Sequence, residues 1–264
     1  MDNVFWLTME ALAGKKINMH THTSRCKHAT GEDREYVEHA IKAGFEVLGF
    51  SDHTPYLFED GYVSPIRMDM SQLDDYVDSV QRLREEYKKD IIIYCGLEME
   101  YFPKRFAKTL EIVKQYPMDY LILGQHFFDD DSRPARVGWP RSEEMYLKKY
   151  VDDILAGLES DCFLYVAHPD VMNFTGSDEI YEKHMIRLLD ELKRRNMPIE
   201  INANGYVDRV HYPSKRLVNL GVKNENIFHI AIDAHSPEAM SCVGDYEYCR
   251  NLVISHGGKL IHCL

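Results

Sequence analysis

The residues with the clearest chemical potential are histidines and carboxylates that recur at short spacings. His20 and His22 are two apart, with His28 six further on; Asp52 and His53 are adjacent; Glu98 and Glu100, then Asp233 and His235, are each two apart; His126 and His168 stand singly. Imidazole and carboxylate together suit zinc, manganese and iron. On an extended chain side chains alternate with period two, so an H-x-H pair presents both rings on one side. Taken alone, such a pair reads more simply as two exposed polar histidines. What changes the reading is that all these groups fall at the ends of successive predicted strands. For His39, His184, His211, His229, His256 and His262, helical or surface placement makes a structural role the simpler reading. Cys26 lies between candidate ligands and reads as a bystander, because histidines are plentiful there.

Strands are needed to bring these groups together. Short β-branched or aromatic runs predict them at Ile17 to His20, Val47 to Phe50, Ile91 to Leu97, Tyr120 to Leu123, Cys162 to Ala167, Ile199 to Asn202 and Ile227 to Ile232, with a last one at Lys259 to His262. Helical periodicity between them predicts helices such as Arg34 to Ala43, ended by Gly44; Gln72 to Tyr87, begun by Ser71; and Glu179 to Asn196, ended before Pro198. Alternating strands and helices imply a parallel sheet. The candidate ligands then sit at the C-terminal ends of strands, which in parallel α/β barrels form the active-site rim. Residues Phe127 to Ser142 form the longest stretch without periodicity, and a loop of that length is expected to serve the site.

Composition bounds the rest. The chain of 264 residues is 45% hydrophobic and 28% charged, which places it in the globular class, and with no repeat or linker-like tract it reads as one barrel domain over residues 1–264. Thirty-one basic against forty-three acidic residues give a charge of −12, with no basic stripe, so a nucleic-acid partner is not expected. The first twenty residues, with Asp2 and Glu10, lack the form of a secretory leader, and apolar runs are strand-sized. A cytoplasmic protein without a membrane partner is the expectation, and its six cysteines, which include no C-x-x-C pair, are expected to be reduced thiols. Oligomeric state is not written in the sequence.

The ordered set of H-T-H at His20 and His22, His28, S-D-H at His53, G-x-E at Glu98, the strand-end His126 and His168, and D-A-H at Asp233 and His235 closely resembles the polymerase and histidinol phosphatase (PHP) family. The likeness covers nearly the full chain. Within the family, S-D-H-T-P through Pro55, G-L-E-M-E-Y, D-Y-L-I-L-G-Q-H ending at His126, and the stretch from Asn204 to Ser214 resemble histidinol-phosphate phosphatases; Gln125 departs from the small serine often found there.

The resemblance implies an α/β fold, a distorted (β/α)7 TIM-like barrel, with two or three divalent metal ions (Zn, Mn or Fe) at the C-terminal rim. One ion would take His20, His22 and Asp233, with Glu98 bridging to a second held by His126 and His168, and a third would take His28, His53 and His235. The implied reaction is hydrolysis of a small phosphorylated substrate, L-histidinol phosphate, to L-histidinol and phosphate in histidine biosynthesis. Glu98, Asp233 and His235 are the implied catalytic groups, Asp233 also being a candidate proton donor to the leaving alkoxide. Asp52 is expected to orient a ligand imidazole and Glu100 to read the substrate's cationic end. Arg209, Arg25 and Arg67 are the candidate phosphate-binding forks. A PHP phosphodiesterase or exonuclease would use the same ions, and the missing basic stripe argues against it. An amidohydrolase-like deaminase also begins with H-x-H, but Glu98 and D-A-H favour phosphoester chemistry. A non-catalytic regulatory module would need a closed metal site, whereas single ligands on many strands leave positions open.

Overall fold

Apolar runs such as Tyr120–Leu123 are buried at every position, as strands of a parallel sheet covered on both faces must be. The computed structural model describes residues 5–58, 61–132 and 135–261. Eight strands lie parallel in chain order: β1 Ile17–Asn18, β2 Val47–His53, β3 Ile92–Met99, β4 Tyr120–Leu123, β5 Tyr165–Val166, β6 Ile199–Asn202, β7 Ile227–Ala231 and β8 Lys259–Leu260. The connections are α1 Asp33–Lys42, α2 Leu73–Glu86, α3 Phe106–Val113, α4 Glu144–Leu158, α5 Asp178–Arg194, α6 Ala203–Val207, α7 Lys215–Lys223 and α8 Val243–Ser255.

The sheet curls into a barrel-like form of eight strands, one for each run read from the sequence, where the family resemblance implied seven, and the last one is confined to one end. Beyond β1 the chain reaches Thr21, which bridges Ala234 beyond β7; the His22 amide donates to the Ala234 carbonyl at 2.9 Å. β8 instead pairs with the first residues of β7, Ile227 with Lys259 and Phe228 with Leu260. Seven strands therefore bound the C-terminal rim. Of the expected last strand, His262 lies outside the described residues, as does Cys263; the other five cysteines are free thiols.

Alternation sorts the side chains. Tyr120 and Ile122 join Leu7, Met9, Leu12, Ile17 and Met19 in an apolar floor, whereas Leu121 and Leu123 join the larger core under the helices. The Tyr120 hydroxyl lies 2.9 and 3.0 Å from the carbonyl oxygens of Met19 and Phe50, pinning β1 and β2 beneath the site. Helix ends follow local rules. Gly44, at φ +78°, closes α1 with the Phe45 amide on the Ala40 carbonyl, and Ser177 caps α5. The expected cap at Ser71 is displaced: a short 3-10 turn, Met70–Gln72, precedes α2, and Asp69 caps it in a reciprocal pair with Gln72.

Candidate metal centre

Glu98, near the end of β3, is fully buried and faces five imidazoles. Its carboxylate oxygens lie 2.8 Å from His53 Nδ1, 3.1 Å from His168 Nε2, 3.5 Å from His126 Nε2, and 3.7 Å from Nε2 of both His20 and His22. Gly124, just past β4, leaves the space this carboxylate occupies; a Cβ there would overlap it. On the opposite side, Asp233 Oδ1 stands 3.0 Å from His22 Nε2 and 3.4 Å from His20 Nε2. At the mouth, Nε2 of His28 and His235 approach to 3.1 Å, and Nε2 of His126 and His168 to 3.2 Å. All nine expected ligands thus share one rim.

The constellation fits divalent cations. Among the described residues, His20 Nε2, His22 Nε2, His53 Nδ1, Asp233 Oδ1 and both Glu98 oxygens are buried without a hydrogen-bond partner. Leaving a buried polar atom unsatisfied costs about 1–3 kcal/mol, so six atoms aimed at one volume need a common partner. Nitrogens coordinating one zinc ion at about 2.0–2.1 Å stand roughly 3–3.4 Å apart, which is the spacing of the two facing imidazole pairs.

The outer ring nitrogens are already occupied. His20 Nδ1 lies 3.1 Å from Glu200, His22 Nδ1 3.3 Å from Asp52, His126 Nδ1 3.2 Å from Glu100, His28 Nδ1 2.8 Å from the Cys26 carbonyl and His235 Nδ1 3.0 Å from the Asp233 carbonyl. Each acceptor favours a proton on Nδ1, so that a ring in its neutral form presents the Nε2 lone pair to the centre. His168 and Asp233 also adopt positive φ, 27° and 57°, a strained choice for residues with a Cβ that tends to persist at functional sites.

Charge is unevenly shared. Burial opposes ionisation of Glu98, yet His126, His53 and His20 hold its carboxyl well below the usual range. Burial likewise opposes the protonated form of His20, but Asp233, Glu200 and Glu98 raise it to about 10. Burial, reinforced by the charge on His22, pushes His235 down to about 4, and burial pushes His53 well down. Asp233, against its own burial, is held far down by His20 and His235. Its Oδ1 faces the Nε2 atoms of His20 and His22.

A cavity of about 520 Å³ opens onto this cluster. None of the three expected arginines lines it. Arg25 pairs with Asp33 and Asp75, tying the segment after β1 to α1 and α2. Arg67 is fully buried on Glu100 and Asp131. Arg209 is exposed, at φ 55°, beyond α6. Glu100, expected to read the substrate, is buried against Arg67 and His126 instead. The arginine that does line the cavity is Arg136, from the 127–142 loop, where a bridge between Phe127 and Arg136 sets it beside His126. Asn204, Asp208 and Tyr212 also line it, unforeseen. Glu200 was missed although a signal existed: a carboxylate inside the apolar strand I-E-I-N needs a buried partner.

Residues 18–204 match the PHP domain family. The chain is 27% identical over 235 residues to a protein of Deinococcus radiodurans named probable histidinol-phosphatase, a match covering 83% of this chain and 85% of that one. A protein of Schizosaccharomyces pombe with the same name is 24% identical over 252 residues, covering 84% and 81%. The fold is similar to that of the histidinol phosphate phosphatase of Lactococcus lactis, solved with zinc, L-histidinol and phosphate, at a TM-score of 0.73 and 19% identity, over 93% of this chain and 95% of that one.

Proposed function

Because the chain belongs to the PHP domain family, we propose that it is a metal-dependent phosphatase that hydrolyses L-histidinol phosphate to L-histidinol and phosphate, a cytoplasmic step of histidine biosynthesis, as one barrel domain over residues 1–264. The observation that carries the reading is the convergence of unsatisfied imidazole and carboxylate atoms on Glu98 at the floor of an open cavity. The names of the Deinococcus and Schizosaccharomyces relatives and the ligands of the Lactococcus protein support the substrate.

In this reading His20, His22 and Asp233 would hold one ion, His126 and His168 another, with Glu98 available to both, and His28, His53 and His235 would hold a third. Zinc is the first choice, with manganese and iron as substitutes. Divalent ions so placed lower the pKa of water toward neutrality and offset charge on a phosphoryl group. The protein's own groups do the rest. Asp52, Glu100 and Glu200 fix the rings that hold the ions. Arg136, which has no ion-pair partner among the described residues and lies 5.5 Å over the Phe127 ring, offers its fork to the phosphate oxygens. The apolar floor of Tyr120 and its neighbours underlies the site.

The test is turnover by metal-loaded protein on L-histidinol phosphate, glycerol phosphate and a single-stranded oligonucleotide. A preference of orders of magnitude for the first is expected. Efficient cleavage of the oligonucleotide, or no release of phosphate from either monoester, sinks the proposal.

A further inference from the structure

The cavity carries two charges that the protein leaves unmatched. Arg136 is one; Asp208, on the residue that caps α6, is the other, and neither has an ion-pair partner among the described residues. Asp208 is exposed, so it stands at the mouth rather than at the floor where Glu98 lies. The charge it feels is that of Asp233, of its own sign. It also sits at the carbonyl end of α6, where a negative charge is disfavoured. A carboxylate kept in such a place invites a cation brought by a ligand. The ring of Tyr212 also lines this cavity, and an aromatic ring is a surface that a cation favours.

From this arrangement we infer that Asp208 is a specificity-determining residue: it selects phosphomonoesters whose alcohol portion carries a positive charge, an ammonium or imidazolium group. The inference rests on the phosphomonoesterase reading above. Phosphate goes to the histidine cluster and Arg136, and the cationic end of the same molecule lies against Asp208. The spent alcohol keeps its cation and therefore keeps this contact after phosphate leaves.

The experiment compares 3-aminopropyl phosphate with propyl phosphate on metal-loaded full-length protein. The wild type should favour the amine in kcat/KM, and Asp208→Asn should lower that ratio on the order of tenfold, mainly through KM for the amine, as expected for a charge-assisted contact. Asp208→Glu should restore part of it. Loss of rate on both esters by one common factor would mean a proton-transfer or metal-binding role, and it overturns the inference, as does an unaltered ratio. If the wild type releases phosphate from neither ester, L-histidinol phosphate is assayed beside them, and no release from it means that the phosphatase reading fails. Calorimetry with L-histidinol then decides Asp208 separately: about tenfold weaker binding to Asp208→Asn supports the inference, and equal binding refutes it.

Discussion

A carboxylate with no solvent access stays ionised only where positive or polarisable partners surround it, and Glu98 has five imidazoles within 3.7 Å. Glu98→Gln preserves the shape and removes the charge. The expected outcome is loss of at least one bound ion per chain and a fall in turnover of at least about 100-fold, the upper end of what even outer partners of ligands cost. Elemental analysis beside the rate assay checks this, and wild-type metal content with near-normal turnover would remove Glu98 from the centre. The residues that gather here were legible because few residue types bind such ions and because strand parity assigns them a side. Arg136 and Asp208 were not. Arginine and aspartate are ordinary on surfaces, and in the stretch N-G-Y-V-D-R only the three-dimensional course of the chain after α6 puts Asp208 on the cavity and leaves Arg209 exposed away from it.

Among the elements, sequence reading ended β2 and β3 with their apolar runs and the barrel extends both, whereas β1 and β5 are shorter than expected, at Ile17–Asn18 and Tyr165–Val166. β2 was expected to stop at Phe50 but runs to His53, whose register partner is Glu98. The polar tail S-D-H is strand because neighbouring ligands enclose it. The loops above are tied by a buried charge group that no linear pattern announces: Arg67 reaches Glu100 on one side and Asp131 on the other, with Ser64 also on Asp131 and the Tyr62 hydroxyl donating to the Asp131 carbonyl at 2.7 Å. This links the segment after β2 to the 127–142 loop, and Glu100 passes the link to His126. Arg67→Met keeps much of the volume but leaves two carboxylates buried without their cation. It should destabilise the fold by about 3–5 kcal/mol, the usual cost of breaking a buried ion pair from one side, read as a lowered midpoint in urea unfolding. A change below about 1 kcal/mol would place Arg67 with ordinary surface pairs.

For the whole molecule, the charge of −12 would repel a phosphate at long range, but salt screens that field beyond about 8 Å at physiological ionic strength. Local charge at the rim then governs, and there protons and metal ions compete for the same atoms. Asp233, Glu200 and Glu98 overcome burial to raise His20 to about 10, and His22 is likewise raised by Asp233 and Asp52. The His20 ring therefore carries its second proton at pH 7 in the metal-free protein and His22 is shifted the same way, whereas His53 and His235 are pushed toward the neutral form. Only a neutral ring can bind a metal ion, so loading must expel the second proton of His20, and the raised His22 adds to the same competition. The sign follows: the raised folded pKa of His20 favours the proton at every pH below about 10, hence metal affinity should climb as pH rises from 6 to 9 and fall toward acid. Calorimetric titration of the metal-free chain with zinc, run at pH 7 in two buffers of different ionisation enthalpy, should report release of at least one proton per chain. An apparent enthalpy independent of the buffer, or an affinity that weakens from pH 6 to 9, would mean that His20 and His22 already point free lone pairs at the centre. The competition between proton and cation would then lie elsewhere in the rim.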